Sequence, residues 1–289
     1  MARVKANGIE LEYDTFGDPA DPALVLVMGL GTQLTAWRPE FCQAVAAHGY
    51  HVIRFDNRDI GLSTRIDATV PEVATVLGGD HSSVPYLIAD LADDTVGLLD
   101  ALGIESAHFA GVSMGGMIVQ QIAIDHPARI RSLCSIMSTT GDHTVGAATP
   151  EVLTILLAPP ATNRDEAVDH GELVFATIGS PAHPAGRERL REQAADAYDR
   201  SFRPEGTARQ LIAIIASPDR TAGLHGVTAP SIVVHGDSDK LIDVSGGHAT
   251  AAALSDCEIV VVPGMGHDLP EALWGTLIDT MVRNARRAA

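Results

Sequence analysis

The chain has 289 residues, of which 46% are hydrophobic and 20% charged. That is enough apolar surface for one large core with or without an inserted lobe, and too hydrophobic for wholesale disorder. With 20 Lys and Arg against 37 Asp and Glu the formal charge is −17, which repels phosphate backbones and anionic lipid and argues against nucleic-acid binding.

In chain order, "RVKANGIELEYDTFGD" alternates apolar and polar residues around Asn7-Gly8, a hairpin signal, and has no apolar stretch of the kind a signal peptide carries. "ALVLVMG" (23–29) reads as a buried strand, "WRPEFCQAVAAHG" (37–49) as a helix and "HVIRFD" (51–56) as a strand. Leu87, Ile88, Leu91, Leu98, Leu99 and Leu102 form a helical stripe. "SAHFAG" and "IRSLCSIMS" (130–138) are further strands, as are "SIVVHG" (231–236) and "EIVVVPG" (258–264). A closing helix starts near Pro270 and ends among Arg283, Arg286 and Arg287, which suit a helix C-terminus.

Strands apolar on both faces, alternating with helices, imply an α/β architecture: a mostly parallel sheet covered on both sides. The rhythm breaks between 139 and 227, where helical stretches such as "RDEAVDHGELVFATIG" are separated by turn-rich joints such as "SPAHPAG". The expected organisation is a core of residues 1–138 and 228–289 with a helical cap inserted at 139–227. No run reaches the roughly 18 apolar residues of a membrane span. Cys42, Cys134 and Cys257 are scattered in apolar surroundings, which fits reduced, buried thiols. The expectation is a soluble, cytoplasmic protein; its oligomeric state is left open, a homodimer included.

"FAGVSMGGMIVQQ" places three glycines around a serine where a strand should pass into a helix, although glycine costs a helix interior about 1 kcal/mol relative to alanine. Gly111-Val112-Ser113-Met114-Gly115 fits G-x-S-x-G in the strand–turn–helix context that gives the pattern meaning. A sharp turn there exposes the Ser113 hydroxyl at the carboxyl edge of the sheet, and the glycines remove side chains that would clash. The competing readings are a serine helix cap with packing glycines and a phosphate-binding turn. A nucleophilic serine needs a base, and the base needs an acid to hold its tautomer. The order serine, acid, histidine is met by "VVHGDSDKLID", which offers Asp237, Asp239 and Asp243, followed by "VVPGMGHDLP", which offers His267.

With "VMGLG", "RFDNRDIGLST", "GVSMGG", "HGDSDKLID" and "PGMGHDLP" together, the chain resembles the α/β-hydrolase superfamily over essentially its whole length. It is similar to the capped esterase branch that includes aclacinomycin methylesterases and bacterial carboxylesterases. The resemblance implies Asp239 as the acid, in Gly236-Asp237-Ser238-Asp239, with Asp237 the runner-up and more a loop-shaping residue. It implies His267 as the base and His235 as a buried structural residue at a strand end. The oxyanion needs preorganised donors; the residue after the nucleophile supplies the Met114 N–H. The loop after 23–29 supplies the other, and the resemblance places it at Leu30, with Met28 where relatives often carry histidine. Leu30, Met114, Leu241 and Met265 are candidate apolar walls of the substrate pocket, Leu241 and Met265 the substrate-binding candidates proper. Arg58 reads as a brace between loops.

No cluster has metal-ligand spacing and no G-x-G-x-x-G opens a helix after the first strand, so neither a metal nor a dinucleotide cofactor is expected. The expected activity is hydrolysis of a small-molecule carboxylic ester by a Ser-His-Asp triad through an acyl-enzyme. The alternatives are C–C bond hydrolysis or cofactor-free perhydrolase and haloperoxidase chemistry with the same triad, and a non-catalytic ligand-binding receptor.

Overall fold

Asn7 and Gly8 have φ of 47° and 80°, the left-handed turn that folds β1 (Ala2–Ala6) back onto β2 (Ile9–Phe16). In the computed structural model, which describes residues 1–288, six further strands follow. They are β3 (Ala23–Val27), β4 (His51–Phe55), β5 (Ala107–Val112), β6 (Ile130–Ile136), β7 (Ser231–Gly236) and β8 (Cys257–Val262). The sheet order is β1-β2-β4-β3-β5-β6-β7-β8, with β1 and β2 antiparallel to their neighbours and every other pair parallel.

The helices are α1 (Pro39–Ala46), α2 (Val73–Leu77), α3 (Ile88–Leu102), α4 (Met114–Asp125), α5 (Pro150–Leu156), α6 (Arg164–Ile178), α7 (Arg187–Arg200), α8 (Pro204–Ala216), α9 (Thr221–Leu224), α10 (Val244–Ala253) and α11 (Trp274–Arg286). Successive strand residues point to opposite faces, so β3 sends Val25 and Val27 toward α3 and α4, and Leu24 and Leu26 toward α1 and α11. That double burial is why β3 reads as an unbroken apolar run. Among the described residues no helix is long and apolar enough to cross a membrane.

Proline sets the first turn of α1, which therefore begins at Pro39, two residues later than the sequence pattern suggests. A short 3-10 turn, Glu271–Leu273, precedes α11 at the expected start near Pro270. Helices α2, α9 and α10 have no apolar stripe in the sequence to announce them. All three cysteines are free, but Cys257 is half-buried rather than buried, because it opens β8 at the sheet edge. Burial still pushes its thiol up to about 11, and that of Cys42 to about 12.

Five helices, α5 to α9, occupy the stretch between β6 and β7. Buried charges tie them to the loop after β4. Asp59 takes two hydrogen bonds from Arg209 of α8, at 2.8 Å each, and one from the Tyr86 hydroxyl at 2.7 Å. Asp56 pairs with Arg200 of α7 at 2.8 Å. Arg58 grips Asp94 of α3 through two nitrogens at 2.5 and 2.7 Å, the bracing ion pair its position between acids suggested.

His108, in the middle of the sheet, shows how burial becomes pH sensitivity. Its Nδ1 meets the Ser132 hydroxyl at 2.9 Å, its ring stands edge-on to Tyr50, and burial lowers its pKa to about 4. An unfolded chain protonates this imidazole near pH 6.5, whereas the folded chain resists until about 4. A depressed folded-state pKa means stability is fully present above 6.5 and falls as pH drops toward 4, by about 3 kcal/mol at the low end. Urea unfolding at pH 7 and pH 4.5 should show a smaller acid-side loss for His108→Gln than for the parent; equal losses would exclude His108 as a source.

Candidate active site

Ser113 has φ 57° and ψ −120°, a backbone state that a residue with a β-carbon holds only when its surroundings impose it. The Ser113 N–H donates to Ile136 of β6 at 2.9 Å, and its carbonyl accepts from Ser138 Oγ at 2.8 Å and from the Gly116 N–H at 2.8 Å. The three glycines are sterically required. A β-carbon on Gly111 would lie 2.0 Å from the Gly115 carbonyl oxygen, one on Gly115 2.2 Å from that of Val27, and one on Gly116 2.4 Å from Ser138 Cβ. These obstacles are mostly rigid backbone, so Gly115→Ala should cost about 3 kcal/mol, read as a lower urea midpoint. Gly275→Ala, where nothing lies within 4 Å, should be neutral or slightly stabilising. Equal midpoints for the two variants would refute the steric account.

The sheet order reverses at β3, which lies between β4 and β5, and such a switch point opens a crevice at the carboxyl ends of the strands. The loop leaving β3 is pressed onto the serine there: a β-carbon on Gly29 would stand 3.1 Å from Ser113 Cβ. Among the described residues neither the Leu30 nor the Met114 N–H finds a hydrogen-bond acceptor. Asn57 Nδ2 holds the Met28 carbonyl at 3.0 Å, and the Gly31 N–H donates to Gln210 Oε1 of α8 at 2.9 Å, so the loop is fixed from both sides.

Asp239 lies past β7 and His267 past β8, both buried, at the same sheet edge as Ser113. His267 Nδ1 meets Asp239 Oδ2 at 2.7 Å. A carboxylate can only accept, so Nδ1 carries a proton, which in the neutral ring places the lone pair on Nε2. The other carboxylate oxygen accepts from the Leu241 and Ile242 N–H groups at 2.8 and 2.9 Å. Burial works to raise the Asp239 pKa, but attraction to His267 and the hydrogen bonds from His267 and the backbone, with the His235 ring close by, outweigh it and hold the carboxyl well below its usual range. The structure joins Asp239 and His267 directly; among the described residues no hydrogen bond joins the Ser113 hydroxyl to His267.

Asp237 sits outside this pair: its carboxylate accepts from the Gly264 N–H at 2.7 Å and laces the loops after β7 and β8 together. Asp243 caps α10 by accepting from the Ser245 N–H. His235 is fully buried, its Nε2 donating to the Ile242 carbonyl at 2.8 Å and lying 3.4 Å from Asp239 Oδ2. The signal for this second imidazole beside the carboxylate is the spacing of four residues in "HGDSD". Leu241 is half-buried, but Met265 is fully buried in the core on the α11 side and Met114 in the core on the α3 side. Both methionine side chains are packed in these cores in this structure. Among the described residues no three His, Cys, Asp or Glu side chains are grouped to hold a metal ion.

Residues 22–271 match the family described as alpha/beta hydrolase fold, and the chain belongs to that family. Among its curated relatives is rhodomycin D methylesterase DauP of Streptomyces sp. (strain C5), 26% identical, the match covering 99% of this chain and 98% of the relative. A putative carbamate hydrolase, RutD of Variovorax paradoxus, is 28% identical over 89% of each chain. Among solved structures, the enol-lactonase from Burkholderia xenovorans LB400 superposes with a TM-score of 0.76 at 22% identity, covering 99% of this chain and 100% of that one. A meta-cleavage product hydrolase from Pseudomonas fluorescens IP01 does so at 0.78 and 17% identity, covering 100% and 98%; at such identities the likeness speaks for the fold alone.

Proposed function

We propose that the protein is a serine hydrolase of small-molecule carboxylic esters, with Ser113, His267 and Asp239 as its triad. The observation that carries the reading is the buried 2.7 Å contact between His267 Nδ1 and Asp239, on loops at the sheet edge where the strained Ser113 turn emerges. It leaves Nε2 as the free base, and the full-length similarity to a rhodomycin D methylesterase favours an ester as the substrate.

Ser113 Oγ attacks the ester carbonyl carbon as its proton passes to His267 Nε2. The oxyanion is held by the Leu30 and Met114 N–H groups, and ionised Asp239 stabilises the imidazolium. Collapse expels the alcohol, which takes the proton from Nε2, and leaves an acyl group on Ser113. Water then attacks the acyl carbon, giving its proton to Nε2, and the acid departs as Ser113 regains its own. Residues 139–227 act as a cap over the sheet edge, on a core of 1–138 and 228–289, and the substrate lies between the two.

A panel of p-nitrophenyl esters and thioesters beside a vinylogous diketone tests the reading. Ester turnover that disappears in Ser113→Ala is the expected result. Diketone cleavage without ester turnover would shift the chemistry to C–C hydrolysis, and ligand binding without any turnover would leave a receptor.

A further inference from the structure

The connection between α6 and α7 contains the turn-rich "GSPAHPAG", to which no role has yet been given. Its first residues lie along the loop that carries His267. The His267 N–H donates to the Ile178 carbonyl at 2.7 Å, and the Ala182 N–H donates to the Gly264 carbonyl at 3.2 Å. Between these two backbone contacts stands Ser180, 1% exposed. Its Oγ accepts from the Gly266 N–H at 2.9 Å and donates to Asp268 Oδ1 at 2.5 Å, while its own N–H donates to the same oxygen at 3.0 Å. Thus the residue before the histidine, the histidine and the residue after it are all held by one five-residue segment.

The fit is close enough to dictate sequence. A β-carbon on Gly266 would fall 2.4 Å from the Ile178 carbonyl oxygen, and one on Gly264 2.4 Å from Ala182 Cβ. Met265 is bonded instead toward the sheet, its N–H donating to Val262 and its carbonyl accepting from the Ser238 N–H. Among the described residues the backbone N–H groups of 266 and 267 therefore both donate to residues 178 and 180, so the backbone beside the imidazole is held from the α6–α7 side while the ring itself meets Asp239.

We propose that residues 178–182 clamp the His267 loop, and that Ser180 and Asp268 are positioning residues that set the imidazole against Ser113. The proposal rests on the triad reading above. Ser180 Oγ is the node, since it alone satisfies both the Gly266 N–H and Asp268. A base must be held within a fraction of an ångström of its working position, and a displacement of about 1 Å costs about 100-fold in rate. The consequence is that the inserted helices and the base move together: a substrate that shifts the α6–α7 connection shifts His267.

The test compares Ser180→Ala, Asp268→Ala and Asp268→Asn with the parent. Ser180→Ala and Asp268→Ala should each lower kcat on a p-nitrophenyl ester by about 10- to 100-fold with KM within about threefold. Asp268→Asn keeps an oxygen that accepts both Ser180 donors and should recover most of that loss. Hydrogen exchange followed by mass spectrometry should show faster exchange across 264–268 in the alanine variants, with the Ser113 turn unchanged. Parental kcat and parental exchange in Ser180→Ala would overturn the clamp, as would an equal loss in Asp268→Asn and Asp268→Ala. Should an alanine variant fail to fold, Ser180→Cys takes its place: sulfur is a weak donor and acceptor, so faster exchange across 264–268 and a lowered kcat are expected, and parental exchange with parental kcat would overturn the clamp. A parent that turns over no ester would overturn the ester reading alone, because the exchange comparison still decides whether the clamp exists.

Discussion

Asparagine in place of Asp239 should lower kcat on an ester by about 10,000-fold, while asparagine in place of Asp237 should leave it within about tenfold. The difference follows from what each carboxylate accepts. One oxygen of Asp239 receives two backbone N–H groups, from Leu241 and Ile242, and the other receives His267 Nδ1. An asparagine has one accepting oxygen, and the two backbone donors claim it. Its NH2 group then faces His267, which has to present a lone pair at Nδ1 and carry its proton on Nε2. That is the wrong tautomer for a base, and no positive charge on the ring is stabilised. At position 237 an asparagine oxygen still accepts the Gly264 N–H, so the loop keeps its shape. Steady-state kinetics on the two variants decides the matter; the reverse order of effects would make Asp237 the acid.

Ser113→Ala should reduce turnover by at least about 10,000-fold, leaving only what binding and the oxyanion donors contribute. Ser113→Gly should do the same and also raise stability, by about 1 kcal/mol. The φ of 57° is one that glycine adopts freely and serine does not, so a serine here holds strain that the fold itself does not require. Urea midpoints measure this. A glycine variant less stable than the alanine variant would contradict the claim that the turn is strained.

How much of this is readable in the chain depends on how local each cause is. The elbow is local: one strand, one turn and one helix in thirteen residues, with glycines whose reason is a clash within reach of the turn. The order of serine, acid and histidine is equally plain, because each follows a recognisable apolar strand. The choice between Asp237 and Asp239 is less so, since both lie on one loop and only the fold reveals which faces His267 and which faces Gly264. The surroundings of Met265 are hidden for a related reason: it stands two places from the histidine, and only the fold shows its side chain packed in the core. Contacts such as Arg209 with Asp59, Gln210 with Gly31 and Ser180 with Asp268 join residues 150, 179 and 88 positions apart, and no periodicity or motif announces them. The helices α2 and α9, five and four residues long, are too short to show an apolar stripe, and α10 is rich in alanine and glycine with no clear face.

The central claim is that Ser113 is a nucleophile activated by His267, and covalent labelling asks this of the intact protein. After incubation with a fluorophosphonate, mass spectrometry of the digested chain should find one phosphonylated residue, Ser113, with labelling abolished in Ser113→Ala and strongly slowed in His267→Ala. No adduct, or an adduct on another residue that survives in Ser113→Ala, would contradict the account.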